Sequence, residues 1–365
     1  MRLTDGPNGD QGALDIIRAS TDPDDLAVVM KNTSQGLGHG HFDKMGLLVF
    51  DAGSEILRDY AAARFLNIEA KYGGHYLPEN NAFAKQTIAH NALVVDETSH
   101  FNGVTKTGNL HAPNLGPFIT EDGLTMASAD IDTAYPDVSL SRTVAMISDA
   151  AFPRPIIVDL VEGHSKAVHQ YDLPFYYNGH ITETNFPVQG HARSRKPLGD
   201  KNGYQYLWNA AQTEIGSPLS QVTWLLNHSF YSVSTVVPSG AEVIFVEIGA
   251  SDPNFNLRRE PGFILRARQA NGVSFVSVIE PHGEYNPTDE YTIGSHSLVQ
   301  LVEHFEAGAD ELIKITTKAG EIVSLGIADD ENETARHTVN VNGVDFTWSG
   351  PAHVFHSESQ KAKGQ

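Results

Sequence analysis

What most limits the fold of this chain is a succession of short apolar runs, rich in β-branched and aromatic residues and broken by Gly, Pro, Asn and Asp. From Val138 onward LSRTVAMIS, PIIVDLVEG, KAVHQYDLPFYY, VTWLLNHSFYSVSTVV and AEVIFVEIG follow one another. Runs of this composition and spacing read as strands joined by turns. Helix-length periodicity is scarce; AAARFLNIEAKY is the best stretch, and it is short. Many short strands build an antiparallel sandwich. The expected fold is therefore all-β: a large antiparallel β-sandwich over residues 1–280, a smaller terminal β-sheet over 281–356, and a disordered tail over 357–365.

Nearer the start, Leu14 to Arg18 and Leu26 to Lys31 read as strands around the acidic turn TDPDD, and LLVFDAGSEILRDY as a hairpin turning at Ala52-Gly53. Residues 61–83 hold too much Gly, Pro and Asn for regular structure, and a loop that long is usually functional. ALVVDETS reads as a return to strand. Asn271-Gly272, between two alternating runs, carries the strongest short hairpin signal. Ala319-Gly320 and Asn342-Gly343 repeat such signals in the terminal sheet.

The chain has 365 residues, a formal charge of −20 and no cysteine. Without Cys there is neither a disulfide framework nor a thiolate site, so a bound metal must use His and carboxylate ligands. The acidic balance argues against nucleic acid and anionic membranes, which need clustered Lys and Arg. No apolar run approaches a membrane span, and MRLTDGPNGDQG has no apolar signal core.

Chemistry-bearing residues concentrate between Asn32 and His100, in GLGHGHFD, DYAAARF, KYGGHYLPENN and AKQTIAHNALVVDETSH. If Gly36 to Asp43 is extended, His39 and His41 project to one side, because residues two apart share a strand face. His39, His41, Asp59 and His90 are ligand types that Zn²⁺ accepts. An HxH pair after glycines also suits a cupin, but Lys44 and Met45 stand where that pattern wants Glu. Another reading is a sugar-binding sandwich without chemistry, in which Tyr60, Tyr72 and Tyr76 stack on pyranose faces. Tyr76 points toward catalysis: cationic neighbours such as Arg64 and His75 would stabilise its phenolate. A Tyr beside Arg and His suits β-elimination on a uronic acid, in which a base takes the C5 proton and an acid protonates the departing O4. Of the remaining candidates, Arg258 and Arg259 in NLRREPG read as partners of Glu260 sooner than of a sugar, and His169 and His282 as structural hydrogen bonders.

Together the four motifs resemble the heparinase II/III-type catalytic β-sandwich region, most closely the oligoalginate lyases of polysaccharide lyase family 17, from about Thr4 to beyond Pro281. The resemblance implies zinc held by His41, Asp59 and His90, bracing the site. It makes His39 the active-site histidine, Tyr76 the catalytic tyrosine and Arg64 a contact to the substrate carboxylate, with His75 and Asn80 also on the substrate. The implied activity is exolytic β-elimination on alginate oligomers, releasing an unsaturated uronate. The alternatives are a glycosaminoglycan lyase of heparinase type or a non-catalytic uronate-binding sandwich.

Lyases of this kind carry a helical toroid ahead of the sandwich, and this chain holds no helical region of that size, so the toroid is expected as a missing partner. That leaves an expected uncovered apolar patch around Tyr60 to Phe83, able to favour a homodimer. Intact relatives imply a periplasmic or secreted location, although no signal peptide is read here.

Overall fold

The structure is a computed structural model that describes residues 1–34, 37–63, 77–191 and 193–356. Its first sheet is an antiparallel meander in chain order: Arg2–Thr4, Ala13–Arg18, Ala27–Lys31, Gly46–Asp51 and Ser54–Leu57. The expected turn at Ala52-Gly53 is present, with both residues at positive φ (49° and 68°). That pair of left-handed residues is what a two-residue hairpin turn requires.

A twelve-stranded sheet forms the centre. Its two longest strands, Ile156–Tyr176 and Pro261–His282, run antiparallel along their whole length, from Ile157 opposite Ile279 to Tyr176 opposite Gly262. The register shifts between His164 and Tyr171, where bulges interrupt the ladder. One half of each long strand then serves one leaf of the sheet. Ile156 to Ser165 pairs with Val138–Ile147, and Val276 to His282 with Ser229–Val236. The other halves pair with Val94–Val95 and Glu242–Ile248.

This arrangement corrects the hairpin expected at Asn271-Gly272. Neither residue has positive φ, and the strand continues through both. The two alternating runs pair not with each other but with the two halves of Ile156–Tyr176, so the Asn-Gly signal marks a place opposite a bulge. KAVHQYDLPFYY is likewise the second half of a strand, continuous with PIIVDLVEG. ALVVDETS yields only Val94–Val95, because Asp96 and Glu97 take positive φ (51° and 52°) and turn the chain.

Both faces of the central sheet are covered, which explains its nearly unbroken apolar runs. Ile157 and Val161 face the first sheet, in a core with Val28, Leu47 and Val49. Their alternate neighbours Ile156, Val158 and Leu160 face the other way, packing with Val302, Ile313, Val323 and Leu325. Those last residues belong to a four-stranded terminal sheet of Val299–Ala307, Asp310–Thr317, Ile322–Ala328 and Ala352–Phe355. A hairpin of Arg336–Val341 and Val344–Ser349 turns at Asn342-Gly343, both at positive φ. The tail 357–365 lies outside the described residues.

A third core, built on Tyr60, Phe83, Ile88, Tyr176 and Ile264, fixes the chain around the histidine-rich region. Tyr60 and Phe83 are 1% and 0% exposed. The uncovered patch expected around them is therefore absent at both residues: their rings pack edge to face 5.0 Å apart. This also removes Tyr60 as a sugar platform. No helix among the described residues is long and apolar enough to cross a membrane.

Candidate active site and metal centre

Three chain segments meet at the site. The first is not extended: Leu37–His39 form a 3₁₀ turn, and the strand begins only at Gly46. His39 and His41 thus do not share a strand face, contrary to the sequence expectation. The turn is fastened from outside, since Lys85 donates from Nζ to the Gly38 carbonyl (2.8 Å) and the Phe42 N–H donates to the Lys85 carbonyl (3.0 Å). Thr87 adds a hydroxyl donated to the Phe42 carbonyl at 2.6 Å. These bonds bind the segment of His41 to that of His90.

The second segment follows Leu57 and carries Asp59. Arg258 clamps it, with Nη2 donating to the Tyr60 carbonyl (2.6 Å), Nη1 to that of Ala62 (3.0 Å), and the guanidinium lying 4.4 Å from the Tyr60 ring centroid. Glu260 accepts from Arg258 Nε at 2.6 Å, so the ion-pair reading of NLRREPG holds, although the pair is buried more deeply than a surface contact. Arg258 is structural.

The third segment carries His90. Next to it, the buried side chain of Asn91 donates to the carbonyls of Leu47 (2.8 Å) and Arg58 (3.0 Å) and accepts from the Tyr176 N–H (2.8 Å). One amide thereby joins all the sheets around the site. Below it, Arg142 makes a bidentate pair with buried Asp159 (2.7 Å for each bond) and donates to the carbonyls of Met45 and Asn91.

At the meeting point, ligand atoms of His41, Asp43, Asp59 and His90 all lie within 4.8 Å of one another. The structure brings together the three residues proposed from sequence and adds Asp43, for which the signal was its place two residues after His41 in GHGHFD. Lys31 holds Asp43 with bonds of 2.7 and 2.8 Å, so that charge is already balanced. His90 Nδ1 meets Asp59 Oδ1 at 2.5 Å. The rings of His41 and His90 are 5.1 Å apart. Two buried imidazole nitrogens, His41 Nδ1 and His90 Nε2, have no hydrogen-bond partner among the described residues. Beside them a cavity of about 10 Å³ is lined by Lys31, Asp43, Asp59, His90 and Asn91. It has room for roughly one small bound species.

Electrostatics prepare His41 and Asp59 as ligands. Burial, helped by the neighbouring His90, pushes His41 down to about 4, so it is neutral with a lone pair at pH 7. Burial would raise the Asp59 carboxyl, but His90 beside it holds it well below the usual carboxylate range. Burial would lower His90, and Asp59 outweighs this and raises it. An N/O donor set with partnerless buried imidazole nitrogens fits a zinc ion.

His39 is exposed at the end of the 3₁₀ turn. Asn80 begins the π-helical segment Asn80–Ala84 and is 4% exposed, which leaves its amide little surface to offer a sugar. Arg64, Tyr72, His75 and Tyr76 lie outside the described residues, as does most of AAARFLNIEAKY; the described Ala61 has φ of 60°, which is not helical. His169 and His282 are the structural hydrogen bonders expected, to Asp96 (2.6 Å) and to Ser232 and the Gly294 carbonyl (2.8 and 2.7 Å).

Comparison with known proteins bears on the whole of this architecture. The family described as "Heparinase II/III-like, C-terminal" matches residues 1–293. The chain belongs to that family. It is 43% identical over 364 residues to an alginate lyase of Stenotrophomonas maltophilia, covering 100% of this chain and 48% of that protein. Its identity to an exo-oligoalginate lyase of Saccharophagus degradans is 42% over 355 residues, or 96% of this chain and 48% of that protein. The chain thus spans about half the length of these relatives. Among solved structures, a heparinase III matches with TM-score 0.60 at 13% identity, over 90% of this chain and 42% of that one. Heparan sulfate lyase HepC from Pedobacter heparinus matches with TM-score 0.51 at 14% identity, over 87% and 41%. At such identities the likeness is one of fold.

Proposed function

We propose that this chain is the β-sandwich side of an alginate or oligoalginate lyase that releases unsaturated monouronate exolytically by β-elimination. The observation that carries the reading is the convergence of His41, Asp59 and His90, with partnerless buried nitrogens, in a member of this family whose relatives are named as alginate and exo-oligoalginate lyases.

His41, Asp59 and His90 would hold one Zn²⁺, which would supply a fixed positive charge bracing the three segments. Asp43, oriented by Lys31, would support the set from outside, as carboxylates near ligating imidazoles do. The chemistry falls to other residues. Tyr76, as phenolate, takes the C5 proton of a uronate; the electron pair forms the C4=C5 double bond; the C4–O4 bond breaks, and the leaving oxygen receives a proton. Arg64 neutralises the carboxylate, which makes the C5 proton acidic enough to leave, and His39 faces the same sugar. Positioned cations are most effective where water is excluded.

The further half for which the relatives' extra length leaves room, helical by the family resemblance, would supply the opposite wall of the cleft, and the intact protein would work in the periplasm or outside the cell. A second reading is uronate binding without turnover. Ultraviolet absorbance of the C4=C5 product on alginate oligomers separates the two. Elemental analysis should find about one zinc per chain, and Asp59→Asn should abolish it; equal zinc in both would remove the metal centre from this reading.

A further inference from the structure

Resting on the uronate reading above, we infer that Lys85 is a substrate-binding residue whose ammonium holds a uronate carboxylate at the mouth of the site, beside His39. The argument begins with its backbone, which is fixed on both sides. Lys85 follows the segment Asn80–Ala84, whose Phe83 and Ala84 are fully buried. Its N–H donates to the Asn80 carbonyl (3.1 Å), and its own carbonyl accepts from the Phe42 N–H. The side chain therefore leaves from a defined point and ends at the Gly38 carbonyl, 2.8 Å away and one residue from His39.

An ammonium has three donors. The bond to Gly38 uses one of them, in an exposed position, and a Cβ built on Gly38 would meet no atom of the described residues within 4 Å. Among the described residues, nothing crowds the turn on which the ammonium rests.

Charge balance identifies what those donors suit. Around the site, Asp43 is matched by Lys31, Asp59 by His90, and Glu260 by Arg58 and Arg258. Of the neighbouring lysines, Lys31 is committed to Asp43, and Lys44 is 2% exposed, donating to the Thr33 carbonyl at 2.8 Å over the Phe101 ring. Burial alone perturbs the Lys85 ammonium, with no carboxylate among the described residues contributing. In a chain of formal charge −20, an anionic sugar meets a repulsive field and needs local positive charge to be held. Lys85 supplies that charge as a compact point, which suits one carboxylate oxygen at an open edge.

The test is calorimetric binding of an alginate trisaccharide and of its carboxyl-reduced, neutral counterpart to the wild-type chain, Lys85→Gln and Lys85→Arg, at low and high salt. Gln keeps an N–H donor for Gly38 without the charge. The expected result is a loss of about tenfold or more for the acidic trisaccharide in Lys85→Gln, near-wild-type binding in Lys85→Arg, and a shallower salt dependence in Lys85→Gln. The neutral trisaccharide should bind all three alike. If Lys85→Gln binds the acidic trisaccharide as wild type does, the role of Lys85 is overturned and the uronate reading stands. If the wild-type chain binds neither sugar, or prefers the neutral one, the uronate reading fails and the assignment of Lys85 falls with it.

Discussion

A buried imidazole whose two nitrogens are both engaged is a cross-brace that acid can break, and His100 is one. Its Nε2–H donates to the Leu93 carbonyl (3.1 Å), and its Nδ1 accepts from the Lys44 N–H (3.3 Å). Protonation would turn that acceptor toward another donor. Burial pushes His100 from 6.5 down to about 3, so the unfolded chain binds the proton more readily than the folded one. The resulting stability is fully present above pH 6.5 and is lost as pH falls toward 3. A series of melting temperatures from pH 7 to 4 should decline, and His100→Phe should be less stable at pH 7 but decline less steeply. Asn91 offers a second residue-scale test. Asn91→Ala leaves the Leu47 and Arg58 carbonyls and the Tyr176 N–H without their buried partner, at a cost of about 3 kcal/mol or more in denaturant unfolding. Zinc affinity should fall with it, because Leu47, Arg58 and His90 lose their common tie.

Among elements, turns test the structure most directly. Gly343 has φ of 87° in a two-residue turn, so Gly343→Ala should cost about 1–2 kcal/mol. Gly272 lies in extended strand, and an added Cβ would come no closer than 3.4 Å to His164 Nδ1. Gly272→Ala should change stability by less than about 1 kcal/mol. Equal losses at both positions in chemical denaturation would restore the hairpin at Asn271. The contrast shows what sequence can and cannot carry. Strand runs are legible because side-chain alternation and turn residues are local, as at Ala52-Gly53 and Asn342-Gly343. Which runs pair is not, because Gly272 and Gly343 look alike until a distant partner is known. At the site, His41, Asp59 and His90 were legible as ligand types within recognisable motifs. The 3₁₀ turn at His39 was not, since it is held by a lysine 46 positions away, Lys85. Asn91 and Asp43 were passed over because their importance lies in what they join.

At the scale of the molecule, the buried Arg142–Asp159 pair is one of the ties that fasten the site to the central sheet. Arg142→Met alone strands Asp159 in the core and should destabilise by about 3–5 kcal/mol, whereas Arg142→Met with Asp159→Leu should recover much of that. The double variant should still bind zinc less well, because Met45 and Asn91 lose their donor. The chain by itself is expected to turn over alginate oligomers poorly, since orientation between two cleft walls can be worth as much as about 7–11 kcal/mol. Activity restored by adding the remaining half of a relative would support this; full activity without it would mean that one wall suffices.

The long pair Ile156–Tyr176 and Pro261–His282 also dictates when the protein can form. Ile157 must find Ile279, so the first long strand leaves the ribosome roughly 100 residues ahead of its partner. At about 5–20 residues per second, its unpaired edge waits on the order of 5–20 s during synthesis. Translation rate and chaperone supply should therefore influence how much folded protein a cell obtains.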